Sequence, residues 1–314
     1  MKLTRFVSSA FVAASLLVGS AAAAGGAKKP HAPEEGWTFQ GGMNTVFGKF
    51  DMEQLQRGYQ VYDQVCSSCH GMDLLAYRNL GEPGGPYYDG EYPATENPVV
   101  KAFAEEKQVT DGPNEDGDMF QRPGTAADTF VNPWANDSIA KLANNGAVPP
   151  DLSVIVKARS GGADYVYSLL TGYPDFDELQ YGEDEEGNFI TYLEIEDEDH
   201  PGETKRLIQP DGLNYNAYFA GDTTPYYNGD PRHVPKGGYL AMARPLNEGQ
   251  IEYADGTEAT VEQMAADVTA FLAWASEPKQ VSRKSAGLAT MIYLMILAIL
   301  LWFSYKRIWR NVDH

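Results

Sequence analysis

The chain has 314 residues, 43% of them hydrophobic and 12% aromatic, enough apolar material for one large domain or two small ones and too much for a disordered polymer. Its formal charge of −20 excludes a nucleic-acid binder, because a surface of that sign repels phosphate.

Residues 1–24 read as an export signal: Lys2 and Arg5, an apolar stretch from Phe6 to about Val18, and a small-residue site at Ala22 to Ala24. Residues 25–285 are then expected to be exported. They hold 19 basic and 43 acidic residues, a formal −24. Within them, residues 52–66 place Leu55, Tyr59, Tyr62 and Val65 at helical spacing, so a helix is expected to run into the first cysteine. Residues 81–129, rich in Gly, Pro, Asp and Asn, read as long surface loops. A short helix is expected over 137–145, capped by Asp137 and ended by Gly146, and another over 162–173.

From 175 to 200, twelve of 26 residues are acidic and none is Lys or Arg. That stretch reads either as a solvated, partly disordered insertion or as a docking surface. A longer helix is expected over 257–276, with Val261, Met264, Val268, Phe271, Leu272 and Ala275 on one face, threonine caps before it and Pro278 beyond it. Strand signals are few and weak, so the exported part is expected to be mainly α with long loops.

Residues 286–305 are twenty in a row without a charge, which as a helix spans about 30 Å, the thickness of a bilayer core. Trp302, Tyr305 and Trp309 lie where an aromatic belt belongs. Three basic residues precede this expected anchor and three follow it, so charge does not orient it. The export signal does, and leaves the tail 306–314 in the cytoplasm.

Both cysteines lie in "VCSSCH", 65–70. An exported pair is first suspected of being a disulfide, but Cys66 and Cys69 are too close in sequence for that bond to restrain much chain. A redox pair is expected to open a helix in a βαβ unit, and here a helix precedes it. Zinc needs about four ligands, and no second pair exists. Cys-x-x-Cys-His is the attachment signature of c-type haem: two sulfurs bond the porphyrin from one turn of chain, and His70 is aimed at the iron. For the sixth ligand, Met242 in "PKGGYLAMARPL" is left when methionines of the signal, the anchor, the apolar helix face, the acidic loop (Met119) and the motif's own neighbourhood are set aside. A gap-filling core methionine is the competing reading, and His233 is the rival ligand.

These stretches, with "LANNGAVPPDLSVIVKARSGGADYVYSLLTGY" and "EYADGTEATVEQMAADVTAFLAWASEPK" before a basic pair and an anchor, resemble the cytochrome c1 family from about residue 37 to 310. The resemblance implies a class I cytochrome c-like haem domain with one haem c held by Cys66 and Cys69. It implies axial ligation by His70 and Met242, a propionate pairing for Arg159, and a pocket lining of Asn145, Pro149, Pro150 and Tyr165. It further implies an electron-transfer subunit of a respiratory or photosynthetic bc1 complex, with no catalytic residue of its own. The implied partners are cytochrome b, the Rieske iron–sulfur subunit, a basic cytochrome c as acceptor, and lipid around the anchor. The implied place is a bacterial inner membrane with the haem domain in the periplasm.

The chain departs from the common pattern at Arg244, where many members have proline or a neutral residue, and it lacks the further cysteine pair of some bacterial members. The acidic stretch and "DGPNEDGDMFQRPG" read as insertions. A membrane-tethered c-type subunit of another oxidase or dehydrogenase, and an anchored thiol oxidoreductase, are the other classes these features allow.

Overall fold

The computed structural model describes residues 26–41, 44–184, 186–197 and 200–311. The expected export signal and the last three residues of the tail lie outside them.

After a single turn, α1 (Asn44–Phe47), the first long helix is α2 (Met52–Gln64). Asp51 starts it by accepting the free N–H groups of Glu53 and Gln54. It runs into a 3₁₀ turn, Cys66–Ser68, as the apolar spacing predicts. The region expected to be loop over 81–129 is in part ordered. Asn97 caps α3 (Pro98–Glu105), with proline at the first helical position, and β1 (Gln108–Asp111) pairs with β2 (Phe120–Pro123) as an antiparallel hairpin. No apolar alternation announces that hairpin. It is closed by Arg122, whose Nε lies 2.5 Å from Asp111 and whose Nη1 lies 2.7 Å from Asp128.

Helix α4 (Asp137–Ala143) is capped by Asn136, whose side chain accepts from the Ile139 N–H, and not by Asp137 as expected. It gives way to Asn145 (φ 51°) and Gly146 (φ 82°) in left-handed conformation. Then come α5 (Ile155–Ala158) and α6 (Gly162–Thr171).

The acidic stretch is the largest correction. It forms β3 (Leu179–Glu183) and β4 (Phe189–Glu196), completed by β5 (Thr204–Gln209) into a three-stranded antiparallel sheet in the order β3-β4-β5. Leu179 opposes Leu193, and Leu193 opposes Leu207, so one face carries an apolar row. That row joins Tyr215 and Ala217 in a second, small core. A two-stranded ribbon, β6 (Asn214–Asn216) with β7 (Gly238–Leu240), lies beside it. The expectation of few strands fails here because a charged edge and a buried row alternate within the same segment.

The main core is a crossing of α2 with α7 (Val261–Ser276), the helix expected from 257 but starting at its Thr260 cap. Leu55, Tyr59 and Tyr62 meet Met264, Val268, Phe271 and Trp274, all buried. Gly58 is what allows the approach: a Cβ there would lie 2.1 Å from the Asp267 carbonyl oxygen and 2.7 Å from Phe271 Cβ. Rings of Tyr77, Tyr87, Phe103 and Phe130 pack around the crossing, mostly edge to face, with Tyr77 and Phe130 stacked at 4.5 Å.

The last helix, α8 (Gln280–Ile308), is 29 residues long, about 43 Å, and exposes its apolar side chains along its length. It extends the expected 286–305 by starting at Gln280, two residues after Pro278, and with a mean hydropathy of 2.3 over its most apolar 18 residues it is long and apolar enough to cross a membrane. Lys284 fastens its base, donating to the carbonyls of Phe39 (2.8 Å) and Asn44 (3.0 Å).

Candidate haem-binding site

The attachment motif sits at the end of α2, where the helix tightens. The N–H groups of Cys69 (3.1 Å) and His70 (2.9 Å) both donate to the Cys66 carbonyl, and Ser67 and Ser68 hydroxyls donate to the carbonyls of Asp63 and Val65. The two thiols therefore leave the chain within one closed turn. Both are free and half-buried, and burial pushes the Cys66 thiol up to about 12. A redox-active cysteine is tuned in the opposite direction, towards thiolate.

His70 is held by groups on three segments. Its Nδ1 is 2.8 Å from the Pro150 carbonyl, its own carbonyl accepts from the Tyr62 hydroxyl at 3.2 Å, and the preceding Cys69 carbonyl accepts from Trp134 Nε1 at 2.7 Å. With Nδ1–H committed to a carbonyl, Nε2 keeps the lone pair that a metal requires. Burial lowers the His70 pKa from its ordinary value, with the Pro150 carbonyl and Asp151 opposing, so the ring is neutral at pH 7. Neutral imidazole is the ligating form.

The segment carrying Pro149 and Pro150 is strapped to the residues after His70. Leu152 N–H donates to Gly71 O (2.9 Å), Asp73 N–H to Asp151 Oδ2 (2.7 Å), and Leu74 N–H to Ser153 Oγ (3.1 Å). Between these straps and Trp134 lies a cleft of about 380 Å³, with Pro149 and Pro150 in its wall.

Met242 is not among the residues that line this cleft. It follows β7 by two residues, in the irregular segment expected for it, and is half-buried. Gly237 permits the approach: its φ is 143°, and a Cβ would lie 2.6 Å from the Asn216 carbonyl oxygen. Tyr215 and Thr223 hydroxyls hold the carbonyls of Lys236 and Pro235, both at 2.6 Å, and Tyr239 donates to Ile208 O at 2.8 Å. The Met242 carbonyl accepts from the Tyr173 hydroxyl at 3.0 Å.

Other methionines are placed as the elimination requires. Met72 and Met264 are fully buried in the core, Met119 is exposed on the β1–β2 hairpin, and Met291 and Met295 project from α8. His233, the rival ligand, lies in a 3₁₀ turn, Pro231–His233, following Asp230.

The remaining expected lining residues are not all gathered in one place. Tyr165 is half-buried and its hydroxyl is pushed up by burial, with Arg159 near enough to oppose. Arg159 itself is exposed at the end of α5 and donates to the Ala158 carbonyl (3.3 Å). Asn145 is exposed, and its amide is turned to the Gly212 carbonyl (2.7 Å).

Sequence reasoning missed the supports: Tyr62, Trp134, Asp151 and Tyr173. Of these only Tyr62 carries a local signal, eight residues before His70 on the buried face of α2.

The donor set suits a haem: two free thiols on one turn, a histidine whose Nδ1 is already committed, and a half-buried thioether on a fixed segment. The profile of the Cytochrome C1 family matches residues 37–312. The cytochrome c1 of Rhodospirillum rubrum is 39% identical over 316 residues, covering 99% of this chain and all of its own length. The mitochondrial cytochrome c1 haem protein of Kluyveromyces lactis is 39% identical over 282 residues, 90% of this chain and 77% of its own. A cytochrome b/c1 of Bradyrhizobium diazoefficiens is 40% identical over 97% of this chain, which spans 40% of that longer protein. Members of the family carry one covalently attached haem c, and Cys66 and Cys69 are the two cysteines here to hold it. The chain thus belongs to the cytochrome c1 family, as the haem-bearing electron-transfer subunit of the cytochrome bc1 complex with cytochrome b and the Rieske protein, and is not an enzyme by itself.

Proposed function

We propose that residues 25–285 form an exported, class I cytochrome c-like domain, in the periplasm of a bacterium, that takes an electron from the Rieske subunit and passes it to a basic cytochrome c. The observation that carries this reading is the clamp on His70, with Nδ1 spent on Pro150 O and Nε2 left for iron. Residues 1–24 are its export signal, 286–305 its lipid-embedded anchor, and 306–314 a cytoplasmic tail.

When bound, the haem supplies a one-electron iron centre, and histidine–methionine ligation raises its potential to suit a Rieske donor. Cys66 and Cys69 would hold it, His70 and Met242 would ligate the iron, and Arg159, Asn145, Pro149, Pro150 and Tyr165 would form its surroundings. Arg159 has an exposed guanidinium close to Tyr165, as a propionate partner needs, once its bond to the Ala158 carbonyl is exchanged. The class I-like reading is supported by the crossing of α2, which leads into Cys66, with the C-terminal α7.

The −24 of residues 25–285 favours a basic acceptor. Exposed Phe189 and Tyr181 on the acidic sheet add apolar contact area beside that charge. Lipid around α8 follows from its exposed apolar length.

The test is quinol-driven reduction of the haem in isolated membranes. An inhibitor that blocks electron delivery to the Rieske centre should abolish it. Reduction that persists at full rate would place the chain in a different oxidase or dehydrogenase.

A further inference from the structure

Met242 and Arg244 lie on a run that no strand or helix holds, so the position of the thioether depends on what fastens that run. Tyr173 donates to the Met242 carbonyl at 3.0 Å. Arg244, whose side chain is only 15% exposed, makes the other attachments. Its Nε donates to Leu246 O (3.1 Å), and its Nη1 donates to Pro174 O (3.2 Å) and Asp175 Oδ1 (2.7 Å). The guanidinium also stands over the Phe176 ring, 5.3 Å from its centroid.

All the partners except Leu246 belong to 173–176, the four residues that leave α6 and open the acidic sheet. The far side of that junction is fixed as well: Gly172 O accepts from Ala217 N–H (3.1 Å), and the buried Asn216 donates to Leu169 O (2.8 Å). The ligand run is therefore fastened to a rigid point about seventy residues away in sequence. A thioether is a weak ligand that must compete with water and with any stronger base. Preorganisation of its backbone decides that competition. The planar fork of arginine reaches a carboxylate and two carbonyls at once, which an ammonium cannot do in the same geometry.

We propose that Arg244, together with Tyr173, is a positioning residue for the Met242 sulfur, and that through Asp175 and Phe176 it couples the sixth ligand of the haem to the root of the acidic insertion. This rests on Met242 being that ligand. Displacement of the insertion root then reaches the sulfur through two side chains.

The test uses the assembled complex carrying Arg244→Lys, Asp175→Asn or Tyr173→Phe, with Asp177→Asn as a control on the same insertion outside the clasp. Two properties of the ferric haem are read: the near-infrared charge-transfer absorption of an iron–methionine bond, and the affinity for imidazole, which competes for the sixth position. Loss of a charge-assisted bond should raise imidazole affinity about tenfold in Arg244→Lys. It should raise it severalfold in Asp175→Asn and Tyr173→Phe, with weakened near-infrared absorption, and leave Asp177→Asn at the parent value. Should Arg244→Lys fail to assemble, Asp175→Asn carries the test, because that side chain is 67% exposed and its loss leaves the core intact. Parent-like absorption and imidazole affinity within twofold of the parent in the clasp variants would overturn the proposal while leaving Met242 as ligand. A parent without the charge-transfer absorption would overturn Met242 ligation, and the clasp with it.

Discussion

Replacing Gly58 by alanine tests whether the α2–α7 crossing is as close as described. The new Cβ would meet the Asp267 carbonyl oxygen at 2.1 Å and the Asp267 carbonyl carbon and Phe271 Cβ both at 2.7 Å. Ordinary C···O contacts begin near ~3.3 Å, so the helices must part by about 1 Å. Neither neighbour can yield alone, since Asp267 O is main chain and Phe271 is fully buried. Alanine gains about 1 kcal/mol of helix propensity over glycine, and overpacking against fixed backbone costs about 3 kcal/mol. The net loss of about 2 kcal/mol should lower the apparent Tm by roughly 4–8 °C for a domain of this size. Calorimetry at one fixed heating rate measures it. Because α2 leads directly into the turn that carries Cys66, the haem absorption should shift in the same variant. A Tm equal to or above that of the parent would refute the reasoning, for it would mean that helix propensity outweighs a contact that is not there.

Met242→Leu conserves volume and should fold with near-normal haem content, yet lower the potential by on the order of a few hundred millivolts. Each 59 mV is a tenfold shift in a one-electron equilibrium, so cytochrome c reduction should fail, and a redox titration unchanged from the parent would return the ligand role to His233. If the acidic sheet steers a basic cytochrome c, the association rate should fall steeply as the Debye length shrinks to about 8 Å, and amides at Asp177, Glu183, Glu186 and Glu194 should cut the low-salt rate roughly tenfold. An unchanged rate would leave the sheet a solvating role only. Arg122 holds the carboxyls of Asp111 and Asp128 below their ordinary range. Because these folded-state values are depressed, their contribution is present above about pH 4 and is lost as pH falls below it. Protection from hydrogen exchange across 108–123, taken relative to the intrinsic rate at each pH, should therefore fall as pH is lowered from about 4 towards 2, and Arg122→Gln should remove most of that change.

The helices and the attachment motif were legible because their signals are local. Leu55, Tyr59 and Tyr62 recur at the helical period, Thr260 precedes an apolar face, and Cys66, Cys69 and His70 fall within five consecutive positions. The acidic sheet was legible only in part. Leu193 and Ile195 alternate with Glu194 and Glu196 as a half-buried strand should, but the density of charge argued for a solvated chain. The β1–β2 hairpin gave no apolar signal, since ion pairs through Arg122 close it. The pairings that support the site were not legible: Pro150 came with the resemblance as a pocket residue, but not as the partner that meets His70 across 80 residues, and Tyr173 meets Met242 across 69. A sequence names the donor atoms, and only the fold says which carbonyl commits the wrong nitrogen.

The most direct measurement of the central claim is the mass of one peptide from the mature membrane protein. Trypsin cuts after Arg57 and Arg78, releasing residues 58–78 with Cys66, Cys69 and His70 together. The account predicts that this peptide carries one haem through two thioether bonds and that no thiol in it can be alkylated, even after reduction. Recovery of the unmodified peptide, with two free thiols or a reducible disulfide, would contradict it.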